Sequence, residues 1–250
     1  MILMYHHVSP ERPAASAVGP DDGWDFCLSP RGFERQLREL SRRGRRFVSL
    51  PEIVAAIRRD GREPDGVAAI TFDDGWRDAY EHALPILVEL GLAATFFVTT
   101  HHLGPGRTDP RRMGRAEIEE LLSAGMTVAG HSRTHVDLTR IPAARAREEI
   151  AGCKQDLEQL TGRSVTLFAY PGGAFDRRVV ELTREAGYEA ACSVLGPAPN
   201  DRSSLFWMFR DVISEAMDTI GDRYRLAAWA HRPLAWRVRR RLRQRLGEPG

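Results

Sequence analysis

Cysteine is scarce and long apolar runs are missing. Three cysteines occur in 250 residues, at Cys27, Cys153 and Cys192. They show neither CxxC spacing nor an even count, so no disulfide framework and no thiolate metal site are expected. Lone thiols suit a reducing compartment. No window reaches the roughly 18 uncharged apolar residues a membrane span needs. The opening MILMYHHVSP has no basic n-region and no long apolar core, so no signal peptide is visible and a cytoplasmic location is expected. An excess of one charge is absent too. With 36 basic and 34 acidic residues the formal net charge is +2, so no global field steers a partner and nucleic acid is not expected.

What is present is ordinary globular material, 42% hydrophobic and 28% charged. The length allows one or two domains, and α/β barrels of this size are routinely one. Short apolar runs at Ile2 to Tyr5, Phe47 to Leu50, Val67 to Phe72, Ala93 to Val98, Met126 to Ala129, Val165 to Ala169 and Ala190 to Val194 read as strands. Leu205 to Val212 reads as a last one. Between them lie helical patterns. Ser29-Pro30 has the form of an N-cap followed by proline at the first helical position. Phe33, Leu37 and Leu40 then recur at helical spacing, and Gly44 marks the stop. Further helices are expected from Pro51 to Ile57, Ala79 to Leu90, Gly114 to Ala124, Pro142 to Leu160 and Arg177 to Ala186. Such alternation, with short connections, indicates a parallel α/β fold.

Polar clusters follow the strands, where a barrel of this kind assembles its active site. The first is Thr71-Phe72-Asp73-Asp74-Gly75. Adjacent carboxylates at a strand end point in different directions, so one can ligate a metal while the other stays free as a base. An Asx turn closed by glycine would give the same letters. The second is His131-Ser132-Arg133-Thr134-His135. Two histidines four apart on a tight loop can reach one ion, and with one Asp they form a facial triad with open positions. Two surface histidines near a turn are the bland alternative. The two motifs together favour a metal site more than either does alone.

These residues resemble a known family. TFDDG followed by GHSRTHVDL is similar to the polysaccharide deacetylases of carbohydrate esterase family 4, the NodB-homology family. Phe168 to Gly173, reading FAYPGG, resembles its groove-lining motif, and Arg115 to Ala124 its helix before the histidines. The segments lie in the family's order across about residues 67 to 195. The resemblance implies a single-domain, distorted (β/α) barrel over residues 1–230, followed by a basic tail over 231–250. It implies Asp73 as catalytic base and Asp74, His131 and His135 as metal ligands. Tyr170, Pro171 and Gly172 would line the substrate groove, with the backbone N–H of Tyr170 or a neighbour facing the oxyanion. The metal would be divalent, zinc first, with cobalt or nickel also suited to two His and one Asp. The implied reaction removes acetyl from an N-acetylated amino sugar of a glycan, leaving free amine and acetate. O-deacetylation, or deacylation of a small amide or cyclic imide, would use the same machinery. Outside enzymes the rival is a catalytically silent glycan-binding barrel, against which the intact DD and HxxxH sets stand.

Two departures matter. Many members carry an Arg-Pro-Pro motif whose arginine orients the catalytic Asp, and Ala169 stands near that place here. The late Asp and Leu-x-His motifs are also missing, and His231 is the only histidine after His135. Leu3 to Val8, reading LMYHHV, resembles the opening of a circularly permuted subgroup, the exopolysaccharide poly-N-acetylglucosamine deacetylases. That subgroup uses an N-terminal YH histidine as general acid, which would be His6. His7 faces the opposite side of a strand and suits the role less. A buried core histidine is the alternative for His6. Arg210 in FWMFRDV, at the end of the last expected strand, is the candidate for the Asp-orienting arginine, and Asp211 beside it could be a groove acid. Trp76 and Tyr170 could stack on a sugar or pack in the core. Asp137 could support His135 or cap a turn, and His101-His102 read as loop. In the tail, Trp236 to Leu246 reads either as a basic amphipathic element for a membrane surface or anionic glycan, or as a helix end docked on the barrel.

Overall fold

The computed structural model describes residues 1–12, 23–104, 109–194 and 198–213. The basic tail and His231 lie outside the described residues. Helix starts are set by side-chain caps. Ser29 accepts the Gly32 N–H to open α1 (Pro30–Arg42), and Ser49 with Glu52 forms a reciprocal capping box on α2 (Leu50–Asp60). Asp176 caps α6 (Arg177–Glu185) in the same way. The others are α3 (Leu84–Leu90), α4 (Arg115–Ser123) and α5 (Ala143–Thr161).

The strands are β1 (Ile2–Tyr5), β2 (Arg46–Phe47), β3 (Val67–Phe72), β4 (Ala94–Val98), β5 (Thr127–Gly130), β6 (Leu167–Ala169), β7 (Ala190–Cys192) and β8 (Asp211–Val212). Their pairing is parallel, in the order β7-β6-β5-β4-β3-β1-β8, with β2 on β3. The first strand therefore lies between the third and the last. Its register pairs Tyr5 with Phe72, so His6 and Asp73 leave the sheet side by side. Residues 205–213 link the two ends of the curled sheet. The Met208 N–H donates to the Ala191 carbonyl at 2.8 Å, while the Ile213 N–H donates to the Met4 carbonyl at 2.9 Å. The result is the distorted (β/α) barrel implied by the sequence.

Three elements differ from expectation. The second strand is only two residues long, because Ser49 caps a helix that already begins at Leu50. The helix expected from Ala79 opens with a π-helical turn over Ala79–Ala83. Pro85 has no N–H to give and crowds the carbonyl four residues back, which widens that turn. The last strand shrinks to Asp211–Val212. Just before it, the Asn200 side chain accepts the Phe209 N–H at 2.8 Å and donates to the Phe209 carbonyl at 3.2 Å, replacing ladder partners.

Alternation along the strands feeds two cores. Leu3, Tyr5, Ile70, Phe72 and Phe96 join Phe33, Leu37 and Leu40 of α1 in one. Ile2, Ala69, Phe97, Ala129 and Ala169 join Met208 and the apolar face of α2 in the other. All three cysteines are buried, and burial pushes the Cys153 and Cys192 thiols up to about 12, which leaves them as inert thiols. Among the described residues no helix is long and apolar enough to cross a membrane.

Phe33 anchors α1 to the sheet, meeting Tyr5 edge-to-face at 5.0 Å between ring centroids. Truncation of this buried ring (Phe33→Ala) is expected to lower the unfolding free energy by about 3–5 kcal/mol in urea titration. An unchanged midpoint would contradict this packing.

Candidate active site

The site lies where β1, β3, β5 and β6 end. After β3 the backbone turns through Asp74 and Gly75 in left-handed conformations (φ 73° and 75°). The turn sends the two carboxylates different ways. After β5, His131 stays in register through its N–H to the Val98 carbonyl at 3.0 Å. Ser132 and His135 are also left-handed (φ 62° and 60°), and the Ser132 hydroxyl accepts the His135 N–H at 2.9 Å. This tight loop brings both imidazoles to Asp74.

Asp74 Oδ1 lies 3.1 Å from His131 Nε2 and 3.1 Å from His135 Nε2. The three ligand atoms all fall within 4.8 Å of one another. Asp74 Oδ1 is nonetheless buried without a hydrogen-bond partner. His131 Nδ1 sits 2.8 Å from the Ala169 carbonyl. A carbonyl can only accept, so Nδ1 carries a proton, and in the neutral ring the Nε2 lone pair points at the carboxylate. Two imidazole Nε2 atoms converging on an orphaned carboxylate oxygen are a donor set that fits a divalent metal when the rings are neutral.

Asp73 sits beside this triad and is only 3% exposed. Arg210 grips it with two hydrogen bonds, Nη1 to Oδ1 at 2.7 Å and Nη2 to Oδ2 at 2.6 Å. Arg210 also donates to the Ser193 carbonyl and the Thr71 hydroxyl. Burial alone would raise the Asp73 carboxyl. The Arg210 charge and hydrogen bonds outweigh it and hold the group below the usual carboxylate value, so Asp73 is ionised at neutral pH.

A cleft of about 470 Å³ opens over these groups, walled by His6, Phe26, Asp137, Pro171, Gly172 and Val194 among others. His6 Nδ1 is buried without a hydrogen-bond partner, which departs from the satisfied core histidine. Burial lowers the His6 pKa, against the raising pull of Asp74 and Asp73. Of the residues singled out in the sequence, Asp73, Asp74, His131, His135, His6, Pro171 and Gly172 meet at this cleft. Arg210 stands directly behind Asp73.

Trp76 and Tyr170 are placed differently. Both side chains are buried, at 2% and 0% exposure, and neither lines the cleft. Their aromatic faces are covered, so core packing prevails over sugar stacking. The Tyr170 hydroxyl donates to the Phe206 carbonyl, and its N–H donates to the Cys192 carbonyl at 3.0 Å. That N–H is engaged in the sheet, which leaves Gly172 as the neighbour whose backbone lines the cleft. Asp137 caps the turn after the histidines by accepting the Thr139 N–H.

Several supporting residues escaped the sequence reading. Glu149, fully buried on α5, accepts the Thr134 N–H and hydroxyl, both at 2.8 Å, inside the histidine loop. Asp156, two turns on, accepts from Arg133 Nε and Nη2 and from the Thr100 hydroxyl. Gly152 leaves room for Arg133, since a Cβ there would stand 2.4 Å from the Arg133 Cζ. On so charged a helix these acids read as solvated. The available signal was that Glu149 falls on the stripe of Ala146, Ile150, Cys153 and Leu157.

Comparison with known proteins places the chain in a family. Residues 60–191 match the family model for polysaccharide deacetylase. The poly-beta-1,6-N-acetyl-D-glucosamine N-deacetylase of Staphylococcus aureus is 24% identical over 201 residues, covering 76% of this chain and 69% of that protein. In fold, the chain is similar to the Streptococcus pyogenes deacetylase PplD in complex with acetate (TM-score 0.76, 24% identity, 86% of this chain and 92% of that one). It is also similar to IcaB from Ammonifex degensii (TM-score 0.74, 24% identity, 92% and 96%). The chain belongs to the polysaccharide deacetylase family.

The Asp73–Arg210 pair yields a stability prediction. Arg210→Ala strands a buried carboxylate and is expected to cost about 3–5 kcal/mol. The Asp73→Ala/Arg210→Ala double variant should lose less than the two single losses added. Urea unfolding of the four proteins checks this, and strictly additive losses would argue against a coupled pair.

Proposed function

We propose that this protein hydrolyses the acetamide of an N-acetylated hexosamine unit in a glycan, releasing acetate and a free amine. One observation carries the reading. An ionised, arginine-held carboxylate, a metal-fitting Asp-His-His set and a histidine whose buried Nδ1 lacks a hydrogen-bond partner face one cleft. Membership of the deacetylase family and the likeness to a poly-N-acetylglucosamine deacetylase support it.

Asp74, His131 and His135 would hold a divalent cation, zinc by preference with cobalt or nickel also accepted, and a bound ion there supplies Lewis acidity toward the acetyl carbonyl and lowers the pKa of water. Asp73 accepts a proton from the attacking water as its oxygen bonds to the acetyl carbon. Arg210 keeps Asp73 ionised and fixes both of its oxygens, so the accepting lone pair is already aimed. Gly172 brings backbone rather than a side chain to the cleft wall, where a developing oxyanion needs close approach. His6, in its doubly protonated form, donates a proton to the departing nitrogen as the carbon–nitrogen bond breaks and is left as the neutral imidazole. Pro171 and Gly172 shape the side of the groove that takes the sugar.

Acetate release from N-acetylglucosamine oligomers, dependent on added Zn²⁺, Co²⁺ or Ni²⁺ and abolished by chelator, tests the whole reading. Oligomer binding without acetate release would leave a glycan-binding barrel. Release only from O-acetyl esters would keep the hydrolase and remove the amide specificity. Asp73→Asn should lower kcat roughly 100- to 10,000-fold, and unchanged turnover in Arg210→Ala would remove Arg210 from the machinery.

The acid role of His6 has its own test. His6→Ala should lose a comparable factor on the sugar amide. It should lose little on 4-nitrophenyl acetate, whose leaving group departs without a proton. Equal losses on both substrates would assign His6 to binding instead.

A further inference from the structure

We propose that Trp76 is a positioning residue for the metal, holding the Asp74 carboxylate in a one-oxygen binding pose through its indole N–H; the inference rests on the metal-site reading above. A carboxylate can present one oxygen or both to a cation, and rotation about its last bond interconverts the two. Here the oxygens are separated in role. Oδ1 converges on the two imidazole Nε2 atoms, and Oδ2 accepts the Trp76 Nε1–H at 3.0 Å. An indole N–H can only donate, so this partner competes with a cation for Oδ2 and leaves Oδ1 to the site.

The donor is itself immobilised. The Arg112 guanidinium lies 3.4 Å from the centroid of the Trp76 ring, and the His7 ring packs against it at 4.4 Å. Trp24 stacks on His7 at 3.9 Å, and Asp78 Oδ2 holds His7 Nδ1 at 2.6 Å. Four planar groups from four separate stretches of the chain thus pack into one contiguous cluster. Arg112 reaches further, its Nη1 donating to the Asp74 carbonyl at 2.5 Å, while the Thr99 hydroxyl donates to the same oxygen at 3.3 Å. Asp74 is therefore held at its side chain and at its main chain by two residues that stack on each other. The hold matters because Asp74 occupies a left-handed backbone conformation (φ 73°) that a non-glycine residue keeps only when its surroundings impose it. The position of His7 in this cluster also separates the two N-terminal histidines. His6 faces the cleft, and His7 braces the metal-site carboxylate from behind.

The test is Co²⁺ titration of the full chain, read by affinity and by the visible ligand-field spectrum, with the melting temperature of the metal-free protein as a fold control. Two variants are used, Trp76→Phe and site-specific replacement of Trp76 by 3-benzothienylalanine, which keeps the ring shape and lacks the N–H. Supporting partners of this type typically contribute 10- to 100-fold in metal affinity. The expected result is Co²⁺ binding weakened by roughly that factor and an altered spectrum in the isosteric variant, with the metal-free melting temperature held. Wild-type affinity and spectrum in that variant would make Trp76 core packing only and overturn the proposal. Should the Phe variant fail to fold, the isostere decides alone. If the unmodified protein binds no Co²⁺, while Zn²⁺ and Ni²⁺ also fail to displace a metal-indicator dye, the metal-site reading falls and this inference with it.

Discussion

The buried ion pair between Asp73 and Arg210 joins parts of the chain 137 residues apart. Taking two charges out of water is costly, and the cost is recovered only when the geometry is good and every remaining donor finds an acceptor. Arg210 finds an acceptor at each of its three nitrogens, in both Asp73 oxygens, the Thr71 hydroxyl and the Ser193 carbonyl. Those partners come from the end of β3 and from the segment after β7. The pair can therefore form only when residues 205–213 have closed the sheet against β7 and β1. Closure of the barrel buries the proposed base and in the same event supplies the counter-charge that keeps it ionised.

A second constraint acts locally. Asp74, Ser132 and His135 all hold left-handed conformations without being glycine, each at a cost of order 1–3 kcal/mol. Hydrogen bonds from outside the turns offset that strain. Arg112 and Thr99 hold the Asp74 carbonyl, and Glu149 holds Thr134 between the histidines. Asp74, His131 and His135, the proposed ligands, are thereby held in place by the protein itself, and α5 serves as the backing of the histidine loop. This is the ordering of supporting residues behind reacting ones that precise sites require.

Legibility followed the range of the interactions. Local ones could be read in the chain. The cap at Ser29, the alternation of strand and helix, and the polar residues just after the strands all appear in the structure close to where they were expected. Arg210 was also within reach, because an arginine ending an apolar stretch has few other uses. The reading was less secure where a residue has two good fates. Trp76 and Tyr170 were equally fit for a sugar face or a core, and burial decided for the core. Glu149 and Asp156 look like any other acids on a charged helix until Thr134 and Arg133 are seen against them.

By itself the sequence determined which groups could do chemistry and which strand ends carry them, because residue type and two-residue alternation are properties of the chain alone. Only the tertiary structure decided how those groups combine. It set the β1–β3 register that puts His6 beside Asp73 and brought Arg210 back to the end of β3. It turned Trp76 inward onto Asp74 and left the His6 nitrogen without a partner. Those outcomes depend on contacts across dozens to more than a hundred residues, where burial and hydrogen-bond completion, rather than any local preference, select the partner.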